Sequence, residues 1–360
     1  MVSVSIGLRL RVEVEALNMV EALGAYNRHR TVSLLKSVTK NGRKGYRLVI
    51  APAISSQSIA NGYHRVLVEL ANKLRLPVCD ECKSYELRGG FTKRTTTKEI
   101  NHDERLKTCV VEDLTGFLAP DANVRRTSPV SFSYMVPDVE SAKTALDSQF
   151  HVRYDFTTRE HAPFTIESGT AIYMLSISVD FDRIGRYENG EYVENREKRI
   201  ELALKGLAVL IEGLNYGAKK ARYLPINEVV GGIAAVSHPM PFAVSPPRVY
   251  RDGRNYIVET IERAKHYITV LQDLNQQIKL YYLDKERVAE GTPAVAATPT
   301  TSPPQTHITT VAEGTPAVEG ITVTPTPVNT FSEMIKCVLN DVKEFYEIKS
   351  KGSEEGQKCT

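Results

Sequence analysis

Residues 2–14, VSVSIGLRLRVEV, alternate apolar and polar side chains without a break. Every even position carries Val, Ile or Leu, and every odd position carries Ser, Gly, Arg or Glu. Successive side chains of a β-strand point to opposite faces of a sheet, so a period of two over this length predicts a long strand with one face buried in a core. We therefore expect a fold built around a sheet.

The segments that follow predict a basic loop, a second strand and a helix. YNRHRTVSLLK, residues 26–36, concentrates basic side chains, and the Asn-Gly pair at 41–42 predicts a turn into a returning strand at 46–54. Apolar residues at helical spacing then predict a helix over 55–77, capped by a serine at its start. Strand, loop, strand and helix in this order are typical of an α+β fold.

The middle of the chain continues this mixture. Alternating strands are predicted near 130–136 and 171–181, an amphipathic helix over 194–214, and a further strand over 229–242. The polar, threonine-rich stretch at 87–107 is interpreted as an insertion or mobile loop. These elements predict an α+β fold, with an RRM-like (ferredoxin-like) antiparallel sheet that carries helices on one face and is enlarged by insertions.

Towards the C-terminus the composition changes to Pro, Thr, Ala and Val. The octamer VAEGTPAV occurs twice there and the prolines forbid long helices, so residues 288–330 are predicted to be a disordered linker. A capping box at Thr330 predicts a last helix, within 331–350, that docks on the body. Residues 351–360 are predicted to be a disordered tail, and the folded body is expected over 1–287.

Composition limits the location and the partners. The 360 residues are 42% hydrophobic, enough for a substantial core, and there is no run of about eighteen apolar residues, so no membrane contact is expected. Charged residues interrupt the first fifteen positions, where a signal peptide needs an apolar run, so we expect a cytoplasmic protein. The net charge is +3, yet residues 21–50 alone carry +6. This local excess suits an anionic partner, although a solvated hairpin face explains the charge equally well.

No catalytic or metal motif is complete. The eight histidines lack the spacing of a zinc site, and neither a nucleophile elbow nor a phosphate-binding loop occurs. Cys79 and Cys82 form a single Cys-x-x-Cys without a second pair, so a redox-inert turn or an internal disulfide is favoured over a metal site. Asp180 and Asp182 suggest a metal pair, but the polar end of a strand explains them more simply. The sequence therefore predicts no enzyme, no cofactor and no metal.

Basic residues instead gather in segments at 26–36, 124–128 and 216–225, each at the end of a predicted strand or helix. The serine-rich helix start at 55–58 adds unpaired amides that suit a phosphate. Together these segments predict a groove that contacts the backbone of a nucleic acid. The candidate RNA-binding residues are Asn27, Arg28, His29, Arg30, Ser55, Ser56, Gln57, Ser58, Arg125, Arg126, His151, Arg153, Lys219, Lys220 and Arg222.

Individual roles within this set follow from side-chain chemistry. Arg28 and Arg30 are predicted to contact phosphates, with His29 beside them at the sugar or base. His151 and Arg153 are predicted to stack on or clamp a base, although a hydrogen-bonded core histidine explains His151 as well.

Several segments, taken in order from about residue 3 to residue 240, resemble one family. They are NRHRT, APAISSQSIANGY, LPVC, GFL with VRRTSPVSFSYMVP, QFHVRY, SGTAIYMLSISVDFDRIG, and GAKKARYLP with GGIAAVSHP. As a set they are similar to the backbone subunit of archaeal type I-A CRISPR interference (Cascade) complexes, the Cas-seven family in the DevR-type branch of the RAMP proteins.

This resemblance implies an RRM-like palm over 1–287, with a protruding, thumb-like region within about 80–165. It implies that copies of the chain form a helical filament along a CRISPR RNA, present this guide for pairing with target DNA, and contact other Cascade subunits. It places Asn27, Arg28, His29 and Arg30 in the loop that family members turn toward RNA, and Ser55 to Ser58 at a helix start that faces the phosphates. It places Arg125 and Arg126 in the loop that leads into the protruding region, places Lys219, Lys220 and Arg222 near a glycine-containing loop, and implies no nuclease activity. Contacts to phosphate and sugar alone would leave the bases free, as any guide sequence requires.

Two alternatives stay open at this level. A related RAMP endoribonuclease would use His29 or His151 as general acid or base on CRISPR transcripts. A structural protein without nucleic acid would use the basic patch to bind an acidic protein.

Overall fold

The computed structural model describes residues 1–23, 26–85, 93–94, 101–120, 123–218, 220–290 and 323–346. Within them the chain forms a mixed α+β structure on one large sheet. The strands are β1 (Ser3–Glu15), β2 (Met19–Leu23), β3 (Tyr26–His29), β4 (Thr31–Lys40), β5 (Arg43–Pro52), β6 (Phe117–Ala119), β7 (Val124–Arg126), β8 (Val130–Phe132), β9 (Val136–Pro137), β10 (Ala145–Asp155), β11 (Glu160–Asp180), β12 (Ile226–His238), β13 (Gln277–Asp284) and β14 (Thr326–Pro327). The helices are α1 (Ser56–Lys73), α2 (Asp80–Lys83), α3 (His102–Thr108), α4 (Val110–Thr115), α5 (Arg196–Glu212), α6 (Tyr256–Val270) and α7 (Phe331–Phe345).

Strand β1 lies at the centre of the sheet. It pairs antiparallel with β11 and β12, so that Leu8 faces Leu175 on one side and Gly232 on the other. Its even positions from Val4 to Val12 enter the main core, as the alternation predicts. The odd positions are also buried up to Arg9, which donates to Asp138 at 2.6 Å. The prediction of a single buried face is therefore wrong, because a second layer of chain covers the polar side.

The sheet is mixed rather than antiparallel. Its order is β14-β13-β12-β1-β11-β3-β2, and β8, β9 and β10 also pair with β11. The pairs β3–β11 and β13–β14 are parallel. Helices lie on both faces, since α1, α5 and α7 pack on the side of Ala234 and Val236, whereas α6 packs on the side of Ile233 and Ala235. The predicted antiparallel sheet with helices on one face is wrong in these two respects.

A β-bulge redirects the chain at the end of β1. The register with β11 shifts between Val12 and Glu15, and Val14 has a φ of 52°. A β-branched residue rarely adopts this left-handed conformation, so the bulge marks a strained point of the backbone. As a result Val14, which the alternation places on the buried face, is exposed, whereas Glu15 is fully buried.

Several local predictions are confirmed. Helix α1 begins after the N-cap Ser55, whose side chain accepts the backbone N–H of Ser58. Asn41 and Gly42 both have positive φ, as a two-residue hairpin turn requires, and they join β4 to β5 in a separate two-stranded sheet. The predicted basic loop at 26–36, in contrast, consists of β3 and the first half of β4.

Helix α7 packs against α5 and the sheet. Its start is capped by Thr330 as predicted, with the Thr330 hydroxyl accepting the N–H of Glu333 at 3.0 Å, but the Glu333 carboxylate accepts the N–H of Asn329 at 2.7 Å rather than that of Thr330. On the sheet side, Asp341 accepts hydrogen bonds from Lys279 at 2.9 Å and from the Tyr281 hydroxyl at 2.6 Å. Polar contacts therefore fix the orientation of a helix that apolar packing holds in place.

The predicted linker at 288–330 lies mostly outside the described residues, as does the predicted tail at 351–360. Residues 323–330 are ordered, however, because β14 pairs with β13 and Val328 is buried. The predicted end of the linker is therefore too late in the chain.

The predicted loop at 87–107 is partly helical. Helix α3 covers its last residues, and Arg105 is fully buried there beside Glu112 at 3.6 Å. Apart from residues 93–94, the earlier part of this segment lies outside the described residues. No helix in the described part of the chain is long and apolar enough to cross a membrane.

Candidate nucleic-acid interface

Four segments meet around Asn18, directly after the bulge of β1. The carbonyl oxygen of Asn18 accepts the N–H of Arg30 at 2.8 Å, and its side-chain oxygen accepts the N–H of Ser55 at 2.6 Å. The carbonyl oxygen of Leu17 accepts the N–H of Ala218 at 3.0 Å. These bonds tie the end of β3, the start of α1 and the chain after α5 to one point. The Asn18 junction, as we call this set, comprises residues 15–18, 29–30, 53–58 and 214–218.

A buried polar network lies beneath the Asn18 junction. Glu15 Oε1 is 2.8 Å from His29 Nε2 and accepts the Tyr173 hydroxyl at 2.7 Å. The backbone N–H of His29 donates to Glu167 at 2.7 Å. The side chains of Glu15 and His29 are both 0% exposed. The predicted contact of His29 with a sugar or base is therefore wrong, because its ring is used to hold the junction together.

His29 makes the stability of the junction depend on pH. Burial by itself would lower the pKa of His29, but the hydrogen bond and the charge of Glu15 outweigh burial and raise that pKa above its ordinary value. A histidine whose pKa rises on folding stabilises the fold fully below its unfolded pKa of about 6.5, and this stabilisation is lost as the pH rises through the folded pKa.

We expect the difference in free energy of unfolding between the wild type and His29→Gln to fall as the pH rises from about 6 to about 9. Urea unfolding at several pH values measures this difference. The same substitution at the exposed His266 serves as the control and should show no such trend. A difference for His29→Gln that stays constant over this range would contradict the ion pair with Glu15.

The start of α1 contributes one buried and two accessible residues. Ser55 is 4% exposed, and its hydroxyl accepts the N–H of Ser58 at 3.2 Å, so this hydroxyl caps the helix and is not available to RNA. Ser58 is half-buried and its N–H is used by that cap. Ser56 and Gln57 instead line a cleft. The predicted phosphate contacts therefore reduce to these two residues at the helix start.

This cleft has a volume of about 460 Å³, and its lining is more apolar than polar, with aromatic walls. Tyr63, Phe117 and Phe132 supply the aromatic surface, and Lys93 also lines the cleft. Lys93 donates to the carbonyl oxygens of Thr115, at 2.9 Å, and Gly116. The first turn of α1 contains no acidic residue, so the partial positive charge of the helix start is not neutralised there and favours an anion.

Arg125 and Arg126 are neighbours with different environments. Arg125 is exposed on β7. Arg126 donates to Asp113 Oδ1 at 2.6 Å and to the carbonyl oxygen of Arg183, and its side chain is only 5% exposed. The structure therefore corrects the predicted RNA contact of Arg126: its guanidinium is occupied by a buried carboxylate, and Arg125 alone presents its charge to solvent.

His151 lies on β10 and is held from two sides. Its Nε2 is 2.5 Å from the Tyr223 hydroxyl, and its ring stacks on Phe164 with 5.3 Å between centroids. The Tyr223 hydroxyl also donates to Gln149 at 3.0 Å. One face of the imidazole is thus already covered, which leaves less room for the predicted stacking on a base. Arg153, two residues further along β10, is exposed.

The remaining candidates differ in exposure. Asn27 is half-buried and donates to the carbonyl oxygen of Thr165 at 3.2 Å, whereas Arg28 is exposed. Arg30 is half-buried at the Asn18 junction. Lys220 donates to the carbonyl oxygen of Leu214 at 2.7 Å, and burial lowers the pKa of Lys220. The exposed Arg222 follows it, and Lys219 lies outside the described residues.

The exposed arginines among the candidates, Arg28, Arg125, Arg153 and Arg222, therefore lie on separate segments. Sequence reasoning missed Asn18 and Glu15, which organise the site. Glu15 gave no signal, because it continues the polar positions of the β1 alternation and only the bulge turns it inward. Asn18 gave none because its role consists of hydrogen bonds to residues distant in the chain.

Comparison with known proteins adds the family. The model of the family described as CRISPR-associated negative auto-regulator DevR/Csa2 matches residues 6–260. This chain belongs to the DevR/Csa2 family. The resemblance stated from the sequence segments is thereby confirmed.

Relatives match the DevR/Csa2 chain over most of their length. It is 32% identical to CRISPR-associated protein Cas7/Csa2 1 of Saccharolobus solfataricus, over 82% of this chain and 96% of that protein. It is 30% identical to CRISPR-associated aCascade subunit Cas7/Csa2 2 of the same organism, over 80% and 94%. A solved structure titled CRISPR RNA-guided surveillance complex, pre-nicking, shares 12% identity at a TM-score of 0.48, over 94% of this chain and 99% of that chain.

Proposed function

We propose that this chain is the CRISPR RNA-binding backbone subunit of a type I-A Cascade complex in the cytoplasm. In this proposal several copies polymerise along the guide RNA, contact the other subunits and leave the bases free to pair with target DNA. One relative is named an aCascade subunit. The observation that carries the proposal is the Asn18 junction, which ties the acid-free start of α1 to the end of β3, where Arg28 is exposed, and to the chain that leads into the exposed Arg222.

The geometry favours binding to the RNA backbone. Arg28 and Arg153 lie on β3 and β10, which both pair with the first part of β11, at Ile166 and Ala162 respectively. Arg222 precedes Tyr223, which reaches the same region through its bond to His151. Exposed guanidinium groups on neighbouring elements bind phosphates without reading sequence, and a guide-binding subunit must accept every guide.

Self-association is supported by an apolar face on the β4–β5 hairpin. Cross-strand pairing places Leu35 beside Leu48, with Tyr46 and Ile50 on the same side. These four side chains are between 58% and 76% exposed. A cluster of large apolar side chains in water is unfavourable in an isolated copy and suits contact with a neighbouring subunit.

We also infer that the core is RRM-like. In chain order β1, α1, β8, β11, α5 and β12 supply a βαββαβ sequence, and the strands lie in the order β12-β1-β11-β8. Both helices pack on the same face of these strands. This arrangement supports the ferredoxin-like pattern, with β10 and the β4–β5 hairpin as additions.

The proposed role includes no catalysis. The endoribonuclease alternative requires an accessible general acid or base, and the His29 side chain is fully buried. His151 is bonded to Tyr223 and stacked on Phe164. Neither histidine has a geometry that favours cleavage over structural support.

The purified chain is expected to bind single-stranded RNAs of unrelated sequence with equal affinity. We expect phosphate contacts from the four exposed arginines, Arg28, Arg125, Arg153 and Arg222. The logarithm of the binding constant should then fall with the logarithm of the salt concentration at a slope of about 3. Fluorescence anisotropy between about 50 and 300 mM KCl measures the slope, and electron micrographs should show helical rods that contain RNA of uniform length. Affinity that does not change with salt would contradict the proposal, and binding to an acidic protein alone would favour the structural alternative.

A further inference from the structure

Three cysteine thiols from two distant segments of the chain lie close together. Cys79 precedes α2, Cys82 lies within α2, and Cys109 lies between α3 and α4. Their sulfur atoms are all within 4.8 Å of one another, and the Cys82 and Cys109 sulfurs are 3.8 Å apart. All three are free thiols, so the internal disulfide favoured from the sequence is not formed.

The spacing of the sulfur atoms matches a metal site. A tetrahedral zinc ion binds each thiolate at about 2.3 Å, which places two thiolates of one site about 3.8 Å apart. A disulfide requires an S–S distance of about 2.05 Å, so forming one would need the side chains to move. The Cys82–Cys109 distance therefore equals the edge of a zinc–thiolate tetrahedron.

The surroundings supply polar partners to the sulfur atoms. The backbone N–H of Glu112 donates to the Cys109 sulfur at 3.5 Å, an outer contact of the kind that orients metal ligands. Lys93 is close enough to all three sulfurs to interact with them electrostatically. Zn²⁺ with three thiolates carries one net negative charge, and the ammonium group of Lys93 balances it. Cys82 and Cys109 are fully buried and Cys79 is half-buried, so an ion could enter beside Cys79.

We propose that Cys79, Cys82 and Cys109 hold a structural Zn²⁺ ion, whose fourth ligand is a nitrogen or oxygen atom outside this trio. The ion would join the chain after α1 to the junction of α3 and α4. Those two segments already share one backbone bond, from the N–H of Val110 to the carbonyl oxygen of Pro77 at 2.9 Å. Because α4 leads into Gly116 and Phe117, the ion would fix one wall of the cleft.

The chain purified without chelators is expected to contain one zinc per molecule by mass spectrometry of the metals. Cys79→Ser, Cys82→Ser and Cys109→Ser should each lose most of it. Cys359→Ser is the control outside the trio, and it should retain one zinc. Since a serine variant could fail to fold, Cys79→His provides a second test: an imidazole replaces the half-buried thiolate and should keep the ion bound.

Two measurements on the wild type are independent of any variant. Titration with a mercurial reagent that modifies thiols should release one zinc ion for every three cysteines of the trio that react. Co²⁺ exchanged into the protein should show the visible absorption bands of a tetrahedral thiolate site. Wild-type protein without zinc that also fails to bind Co²⁺ would overturn the proposal, as would a disulfide within the trio or an iron–sulfur cluster. None of these readouts requires RNA, so the zinc site can fail while the proposed function holds.

Discussion

Replacing Asp113 with Ala is expected to lower the free energy of unfolding by about 3–5 kcal/mol, because it leaves two buried arginines without their carboxylate. Asp113 Oδ1 accepts from Arg126 at 2.6 Å, and Oδ2 accepts from Arg199 at 2.9 Å. The N–H of Gly185 donates to both oxygens. All three side chains of this ion cluster are almost completely buried. Urea unfolding should show a lower midpoint with an unchanged m-value.

The chain offers a matched control for this loss. Asp252 also pairs with an arginine, Arg254, at 3.0 Å, but both side chains are more than half exposed. Asp252→Ala should therefore change the midpoint little, since water replaces the lost partner. If the two alanine variants unfolded at the same urea concentration, the Asp113 cluster could not be a main support of the fold.

The Asp113 ion cluster also distinguishes the roles of the neighbouring arginines Arg125 and Arg126 on β7. Adding Arg126→Ala to Asp113→Ala should recover part of the lost stability, because one unpaired buried cation is removed. Arg125→Ala should leave the midpoint unchanged and weaken RNA binding. A loss of RNA affinity from Arg126→Ala without a loss of stability would contradict the structural role assigned to Arg126.

Predictions from the sequence were correct where the controlling interaction is local. The alternation of residues 2–14 identifies β1, the serine cap identifies the start of α1, and Asn41-Gly42 identifies a hairpin turn, because each depends on residues within a few positions. Helix α6 also carries local signals, an Asn255 cap and apolar residues at helical spacing, but no prediction covered that segment.

Predictions from the sequence failed where a distant partner decides the role of a residue. Arg126 differs from Arg125 only through Asp113 and the Arg183 carbonyl oxygen, which lies 57 residues away. His29 is buried because its ring pairs with Glu15 at the end of another strand, with 2.8 Å between His29 Nε2 and Glu15 Oε1. Cys109 joins Cys82 from 27 residues further along the chain, so the search for a second Cys-x-x-Cys could not find it.

The four candidates in the first basic segment show the same limit. A strand places successive side chains on opposite faces, so Asn27 and His29 point to one side of β3 and Arg28 to the other. The prediction treated the segment as a loop, in which this alternation has no meaning. If β3 had been predicted as a strand, the alternation of side chains would have placed Arg28 on the opposite face from Asn27 and His29.

Replacing Arg28, Arg153 and Arg222 together by Ala is expected to weaken the binding of single-stranded RNA about a hundredfold at 0.1 M salt. Each phosphate contact on a single strand contributes about 0.7 to the salt slope, so the slope should decrease by about 2. All three side chains are exposed and lie on elements that meet at the first part of β11. The urea midpoint should stay at the wild-type value.

A second triple variant separates local contact from overall charge. Lys73, Lys107 and Lys198 are exposed at the opposite end of the helical layer, since Lys73 ends α1 and Lys198 lies at the start of α5. Replacing these three lysines by Ala removes as much positive charge from the chain as replacing the three arginines does. If bulk attraction dominated, both triple variants would lose affinity equally. Because short-range phosphate contacts carry the proposed binding, the arginine variant should lose far more affinity than the lysine variant, and equal losses would reject the assigned surface.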